Sequence, residues 1–153
     1  MKPRVRMGLI VGAIGAVLNI CVAAAMGICG PVVSLIGGGV AGYFAAQQEK
    51  AASKGEGAKV GAAAGAIAGA LILIGQLLGG VGILAVMQFS GLRTVLGSIP
   101  TPSSGAGEQL VYYLSGMGTA LCFGVVGIAL AALVGAGTGY MGTPDQPVIQ
   151  PPQ

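Results

Sequence analysis

The side chains with the greatest chemical potential in this chain are three thiols, Cys21, Cys29 and Cys122, and two carboxamides set inside apolar stretches, Asn19 and Gln76. A cysteine becomes a nucleophile or a metal ligand as the thiolate, which needs a neighbouring base, cation or metal. The sequence contains no His, and the apolar stretches that hold these cysteines carry no Asp, Glu, Lys or Arg. With no CxxC pair, a zinc, haem or iron–sulfur site has too few ligands. The cysteines therefore read as small apolar residues packed between helices, with Cys29, near an expected helix end, as the exception. The serines near 90–104 lack any general base. Gly55-Glu56-Gly57-Ala58-Lys59 looks superficially like a phosphate loop, but its spacing fits neither GxxxxGK[ST] nor GxGxxG. No catalytic residue, cofactor or metal is expected, and the chain reads as a protein that is not an enzyme.

The elements that must carry these residues are set by composition. Of 153 residues, 54% are hydrophobic, 7% are charged and 30 are glycine, with a mean hydropathy of +0.88. An ordinary soluble domain has roughly 25% charged residues. All acidic and basic residues lie outside four glycine- and alanine-rich stretches. The expected fold is all-α, an integral membrane bundle of four transmembrane helices arranged as two hairpins. The spans run over about 7–29, 31–48, 60–86 and 110–140, judged against the roughly 20 apolar residues a crossing needs. They form one domain over 1–141. The tail, 142–153, carries Pro144, Pro147, Pro151 and Pro152 and is expected to be extended and mobile.

Several local signals place the breaks. Gly30-Pro31 interrupts the first apolar run, because proline lacks an N–H and moves its predecessor out of the α region. A basic start followed by an apolar run also describes a signal peptide, with Ala23-Ala24-Ala25 as an A-x-A site. Since the run continues past that point, an uncleaved first span is expected. Ser53 followed by Glu56 resembles a capping box opening the third helix. After the third span, Phe89, Leu92, Val95, Leu96 and Ile99 recur at helical spacing, which suits an amphipathic segment in the membrane interface.

Charge sets the orientation. With four crossings, the N-terminus, the central loop and the tail share one side, and that side holds Lys2, Arg4, Arg6, Lys50, Lys54 and Lys59, leaving Arg93 opposite. The positive-inside rule then places both termini in the cytoplasm, in the cell membrane. Three crossings would split the basic N-terminus from the basic loop and lose that asymmetry. Tyr43 and Tyr140 on the inner side and Tyr112 and Tyr113 on the outer side occupy the interfacial depth that tyrosine favours. The net charge of +3 is small and scattered, which argues against nucleic acid as a partner.

In lipid, helices gain little from hydrophobic contact with one another, so association rests on close backbone approach and occasional polar bonds. Small residues at four-residue spacing allow that approach. Gly38 and Gly42 supply it in the second span, Gly61, Gly65 and Gly69 in the third, and Gly127, Gly135 and Gly139 in the fourth. These are the expected helix-packing residues. Asn19, Gln76 and Thr119 are the intramembrane polar groups; Asn19 and Gln76 are expected to meet each other or a facing backbone carbonyl. Ser115, Thr119 and Thr138 are expected to bond the carbonyls of their own helix.

The block Gly37-Gly38-Gly39-Val40-Ala41-Gly42-Tyr43, the lysine-bearing loop, Gly55-Glu56-Gly57-Ala58 and Gly61-Ala62-Ala63-Ala64-Gly65 resembles a pattern in small prokaryotic four-span glycine-rich membrane proteins of unknown function. The resemblance covers about a third of the chain, implies the four-span architecture, and carries over no activity. The expected function is that of a noncatalytic membrane protein acting through helix packing, as a homo-oligomer or as a subunit of a larger membrane complex, with the lipid bilayer as its surroundings. The alternative is a small channel or transporter component passing a neutral solute, for which Asn19, Gln76 and Thr119 are the available polar groups.

Overall fold

A computed structural model of the chain describes residues 2–23, 30–89 and 105–144. They form four α-helices: α1 (Pro3–Ala23), α2 (Gly30–Glu49), α3 (Lys54–Phe89) and α4 (Ala106–Gly142). The expected all-α class is what the described residues adopt. Three of the helices are long and apolar enough to cross a membrane, over Pro3–Ile20, Lys54–Gly80 and Gly107–Gly142. The second helix is not among them, because Gln47, Gln48 and Glu49 make its last turn polar and its glycines add length with little hydropathy. Residues 24–29 with Cys29, the expected interfacial segment and loop over 90–104, and the tail beyond 144 lie outside the described residues.

The helices are longer at their basic ends than hydropathy alone indicates, since chain-end chemistry rather than hydrophobicity sets where they start and stop. The first begins at Pro3, where a missing N–H costs nothing in the first turn. The carbonyl of Lys2 accepts from the N–H groups of Val5 (3.0 Å) and Arg6 (3.2 Å). The third begins at Lys54, ahead of the hydrophobic onset, because Ser53 and Glu56 cap it. Ser53 Oγ accepts from the Glu56 N–H at 3.2 Å, and Glu56 Oε2 accepts from the Ala52 N–H at 3.0 Å. The capping box expected from Ser53 and Glu56 thus forms, with the return bond falling one residue earlier than the usual partner.

Between them, α2 ends in a Schellman turn: the Ala51 N–H donates to the Ala46 carbonyl (3.4 Å) and the Lys50 N–H to the Gln47 carbonyl (3.3 Å). Ala46 and Ala51, the two residues that such a turn brings together, are both buried. The turn requires a left-handed residue, and Lys50 occupies it at φ 49°. A Cβ makes that conformation costly by about 1 kcal/mol. Lys50→Gly is therefore expected to stabilise the protein by about 1 kcal/mol, read as a higher midpoint of unfolding in detergent, and an unchanged or lower midpoint would count against the turn geometry.

Contacts between helices define a rhombus. The middle pair, α2 and α3, touch each other, and each also touches both α1 and α4, whereas α1 and α4 have no contact among the described residues. Direction follows from the register of the closest approaches. A Cβ built on Gly8 would lie 2.9 Å from the Ala64 carbonyl oxygen and one on Gly12 would lie 3.0 Å from the Ala68 Cα, so α1 and α3 advance together. A Cβ on Gly38 would meet Ala131 (Cα at 2.6 Å) and one on Gly42 would meet Gly135 (Cα at 2.6 Å), so α2 and α4 are also parallel. In contrast, Gly57, Gly61, Gly65 and Gly69 face Gly139, Gly135, Ala131 and Ile128 in descending order, which makes α3 and α4 antiparallel. The chain therefore runs alternately up and down, and the starts of α1 and α3 share an end with the finishes of α2 and α4. A twofold repeat of one hairpin on the other, suggested by the likeness of 11–16 to 64–69, would require an α1–α4 contact to match α2–α3, and the described residues do not make one.

The interior is built from small side chains. Buried apolar residues are Ala41, Ala45, Ala46, Ala51, Ala64, Ala68 and Ala131, with Val60 and Ile72. Large ones face outward: Val17, Leu18, Ile36, Leu78, Phe123 and Leu133 are all more than half exposed. Water-soluble folds bury their largest apolar groups, so this distribution is inverted.

Candidate functional site

Asn19 is the most enclosed polar group, 1% exposed on α1 and, with Ile72, the largest fully buried side chain. Its Nδ2 donates to the Ile72 carbonyl of α3 at 3.3 Å. A carboxamide deep in an apolar interface needs such a partner, because an unmade bond leaves the full desolvation cost. Close approach permits it here: a Cβ on Gly15, one turn earlier, would lie 2.9 Å from the Ile72 side chain, and one on Gly75 would lie 2.8 Å from the Ala16 Cα. Of the two expected partners for Asn19, the structure supplies the facing carbonyl. Gln76 is half-buried on α3, and no described residue hydrogen-bonds its side chain.

Thr119 is exposed on α4 and donates to the Ser115 carbonyl at 2.8 Å, and Ser115 Oγ donates to the Tyr112 carbonyl at 2.9 Å. Thr138 makes the expected bond within its own helix and adds a second, between helices. Its Oγ1 lies 3.2 Å from the Gly135 carbonyl of its own helix and 2.8 Å from the Gly39 carbonyl of α2, so its single proton is shared with a neighbouring helix. Sequence spacing identifies the intrahelical acceptor but not a carbonyl 99 positions away. No hydrogen bond links Asn19, Gln76 and Thr119 to one another among the described residues.

The glycines singled out by spacing fall at helix contacts. A Cβ on Gly61 would meet the Gly135 carbonyl oxygen, one on Gly65 would lie 3.1 Å from the Ala131 carbonyl carbon, and one on Gly69 would lie 3.1 Å from the Ile128 Cα. On Gly139 it would lie 3.0 Å from the Gly61 Cα, and on Gly127 it would sit 3.3 Å from Ser34 Oγ. Gly135 borders two helices at once, with Gly61 and Gly65 of α3 on one side and Gly38 and Gly42 of α2 on the other. The α1–α3 approaches at Gly8 and Gly12 also follow four-residue spacing and Gly75 continues the glycines of the third span, whereas the approach at Gly15 falls outside any such row.

At the opposite extreme from this apolar interior, the basic residues Lys2, Arg4, Arg6, Lys50, Lys54 and Lys59 gather at one end, where α1 and α3 start and α2 finishes. Two contacts there escape sequence reading. Glu49, last in α2, accepts the Arg4 N–H of α1 at 3.0 Å and lies 3.7 Å from Arg4 Nε. It thereby satisfies an orphan donor at a helix start, where negative charge is also favoured by the helix dipole. Lys54 Nζ sits 5.5 Å from the centre of the Tyr140 ring, a cation–π distance. Cys122 is an exposed free thiol on α4, and among the described residues no three His, Cys, Asp or Glu side chains converge to hold a metal. Fold and site together define an α-helical bundle with three helices able to cross a membrane. Comparison with protein-family models, curated proteins and solved structures finds no match to this chain.

Proposed function

We propose that this protein is a noncatalytic integral membrane protein that crosses the bilayer four times, with both termini in the cytoplasm, and acts as a structural or accessory subunit through helix packing. One observation carries the reading: apart from Val60 and Ile72, the buried apolar residues are alanines, and glycines lie at the closest helix approaches, while many leucine, isoleucine, valine and phenylalanine side chains face out. Such an arrangement suits a lipid surround, where large apolar side chains meet acyl chains and small ones let backbones touch. The clustering of six cations at one end supports a cytoplasmic position for that end. The second helix completes the fourth crossing with its polar last turn in the headgroup layer. The glycine rows at Gly38 and Gly42, Gly61 to Gly69 and Gly127 to Gly139 serve as the packing seams, and the resemblance to small prokaryotic four-span membrane proteins is in keeping with this.

The testing experiment is extraction from native membranes in mild detergent, followed by sizing and mass spectrometry of what stays bound. Stoichiometric retention of a larger assembly, or a discrete homo-oligomer, is the expected result. A chain released by salt or carbonate wash, without detergent, would defeat the membrane reading, and a bare monomer would defeat the subunit reading.

A further inference from the structure

A cleft of about 690 Å³ opens at the basic end of the bundle. Three elements line it: Lys2 and Arg4 at the start of α1, Glu49 at the end of α2, and Glu56, Lys59 and Val60 in the first turns of α3. The volume is that of a small-ligand site. Its charge is decided by which groups are already engaged. Both carboxylates are taken inside the protein, Glu49 by the Arg4 N–H (3.0 Å) and the Arg4 guanidinium (3.7 Å), Glu56 by the Ala52 N–H (3.0 Å). The α3 start is likewise closed by its cap, with Ser53 accepting the N–H groups of Glu56 and Gly57. The ammonium groups of Lys2 and Lys59, exposed at the cleft, have no carboxylate or hydrogen-bond partner among the described residues. Arg4 offsets Glu49, while Glu56, bonded only to a neutral N–H, keeps its charge; two unpaired ammonium groups therefore stand against one carboxylate, and the recess stays net positive and attracts an anion. Lysine meets phosphate as a compact point charge with rotatable donors.

We propose that this cleft binds a phosphate ester, with Lys2 and Lys59 as its charge-assisted donors and Arg4 fixed beside them by Glu49. Two sources share that chemistry, the headgroup of an anionic phospholipid and a soluble phosphate compound. The membrane reading bears only on which source applies, since the cleft would face the headgroup layer if this end lies at the bilayer surface.

The test uses the full chain purified in neutral detergent. Phosphatidylglycerol is added and its retention counted by native mass spectrometry, while glycerol 3-phosphate is titrated calorimetrically in a separate arm. The expected result is one phosphatidylglycerol per chain, with retention weakened about tenfold for each of Lys2→Gln and Lys59→Gln. The double variant Lys50→Gln/Lys54→Gln removes two charges from outside the cleft, more than either single variant, and is expected to leave retention within about twofold. Glycerol 3-phosphate binding with the same lysine dependence, and no lipid retention, assigns the site to a soluble ester. Binding of neither probe by a variant-matched, monodisperse protein overturns the proposal. Weakening by the Lys50→Gln/Lys54→Gln variant as large as that by Lys2→Gln or Lys59→Gln also overturns it, by reducing the effect to diffuse surface charge. Whether the chain needs detergent at all is read from the same preparation, so failure of the membrane reading is visible independently of the cleft.

Discussion

Gly135→Val is expected to pull the bundle apart, while Gly137→Ala, two residues along the same helix, is expected to do no harm. A Cβ on Gly135 would lie 2.5 Å from the Gly61 carbonyl oxygen, 3.1 Å from the Gly38 carbonyl oxygen and 3.2 Å from the Gly65 Cα. All three obstacles are backbone, on two different helices, so no rotamer change makes room. Relief requires α2 or α3 to move as a body, which would also undo the closely spaced approaches at Gly42 and Gly139. Overpacking in a filled interior costs typically about 1–3 kcal/mol, and at a three-helix junction with no yielding side chain the upper end or beyond is expected. Gly137 has nothing within 4 Å of a built Cβ. Alanine there gains up to about 1 kcal/mol by lowering the conformational freedom of the unfolded chain. Dodecyl sulfate titration followed by circular dichroism should separate the two variants widely, and coincident unfolding midpoints would remove the glycine seam from any account of stability.

The second large effect is expected at Asn19→Asp. The substitution keeps size and shape, so packing is not disturbed, but it replaces the amide donor with a carboxyl that, at neutral pH, must either stay charged beside the Ile72 carbonyl oxygen or take up a proton, each at a cost. The site is sealed, with Asn19 at 1% exposure and Ile72 fully buried. No lysine or arginine lies in the apolar part of α1 or α3 to compensate. An uncompensated buried charge costs about 3–5 kcal/mol when its partner is missing, so the folded fraction in detergent should fall sharply. Asn19→Ala, which deletes the same bond without adding charge, is expected to cost about 1–2 kcal/mol. If the two variants unfold together, Asn19 is reached by water or by a cation and the sealed geometry is wrong.

These two predictions bear on the proposed function in different ways. The glycine junction concerns how the chain holds its own shape, and it would leave faces such as the exposed stretch of α4 around Leu114, Leu121 and Phe123 unaltered. A Gly135 variant that still folds but loses a co-purifying partner would place the seam between chains instead of within one.

Hydrophobicity and charge placement by themselves determined that this chain forms apolar helices with six of its seven lysines and arginines outside the apolar stretches on one side. Both depend on which residues follow one another, and a run of apolar residues ended by lysine and glutamate leaves few alternatives. The cap at Ser53 and Glu56 was legible for the same reason, being a local bond over three residues. The close approaches were legible in part, since Gly61, Gly65 and Gly69 mark one face of one helix wherever that helix goes. What only the tertiary structure decided is which face meets which neighbour. The Asn19 bond to the Ile72 carbonyl, the Thr138 bond to Gly39 and the Glu49 bond to the Arg4 N–H join residues 53, 99 and 45 positions apart. Their partners are backbone groups in every case, and a backbone carbonyl or N–H has no signature in the sequence. Only the approach of two helices, set by every small residue along the seam at once, brings such a group within reach of a side chain.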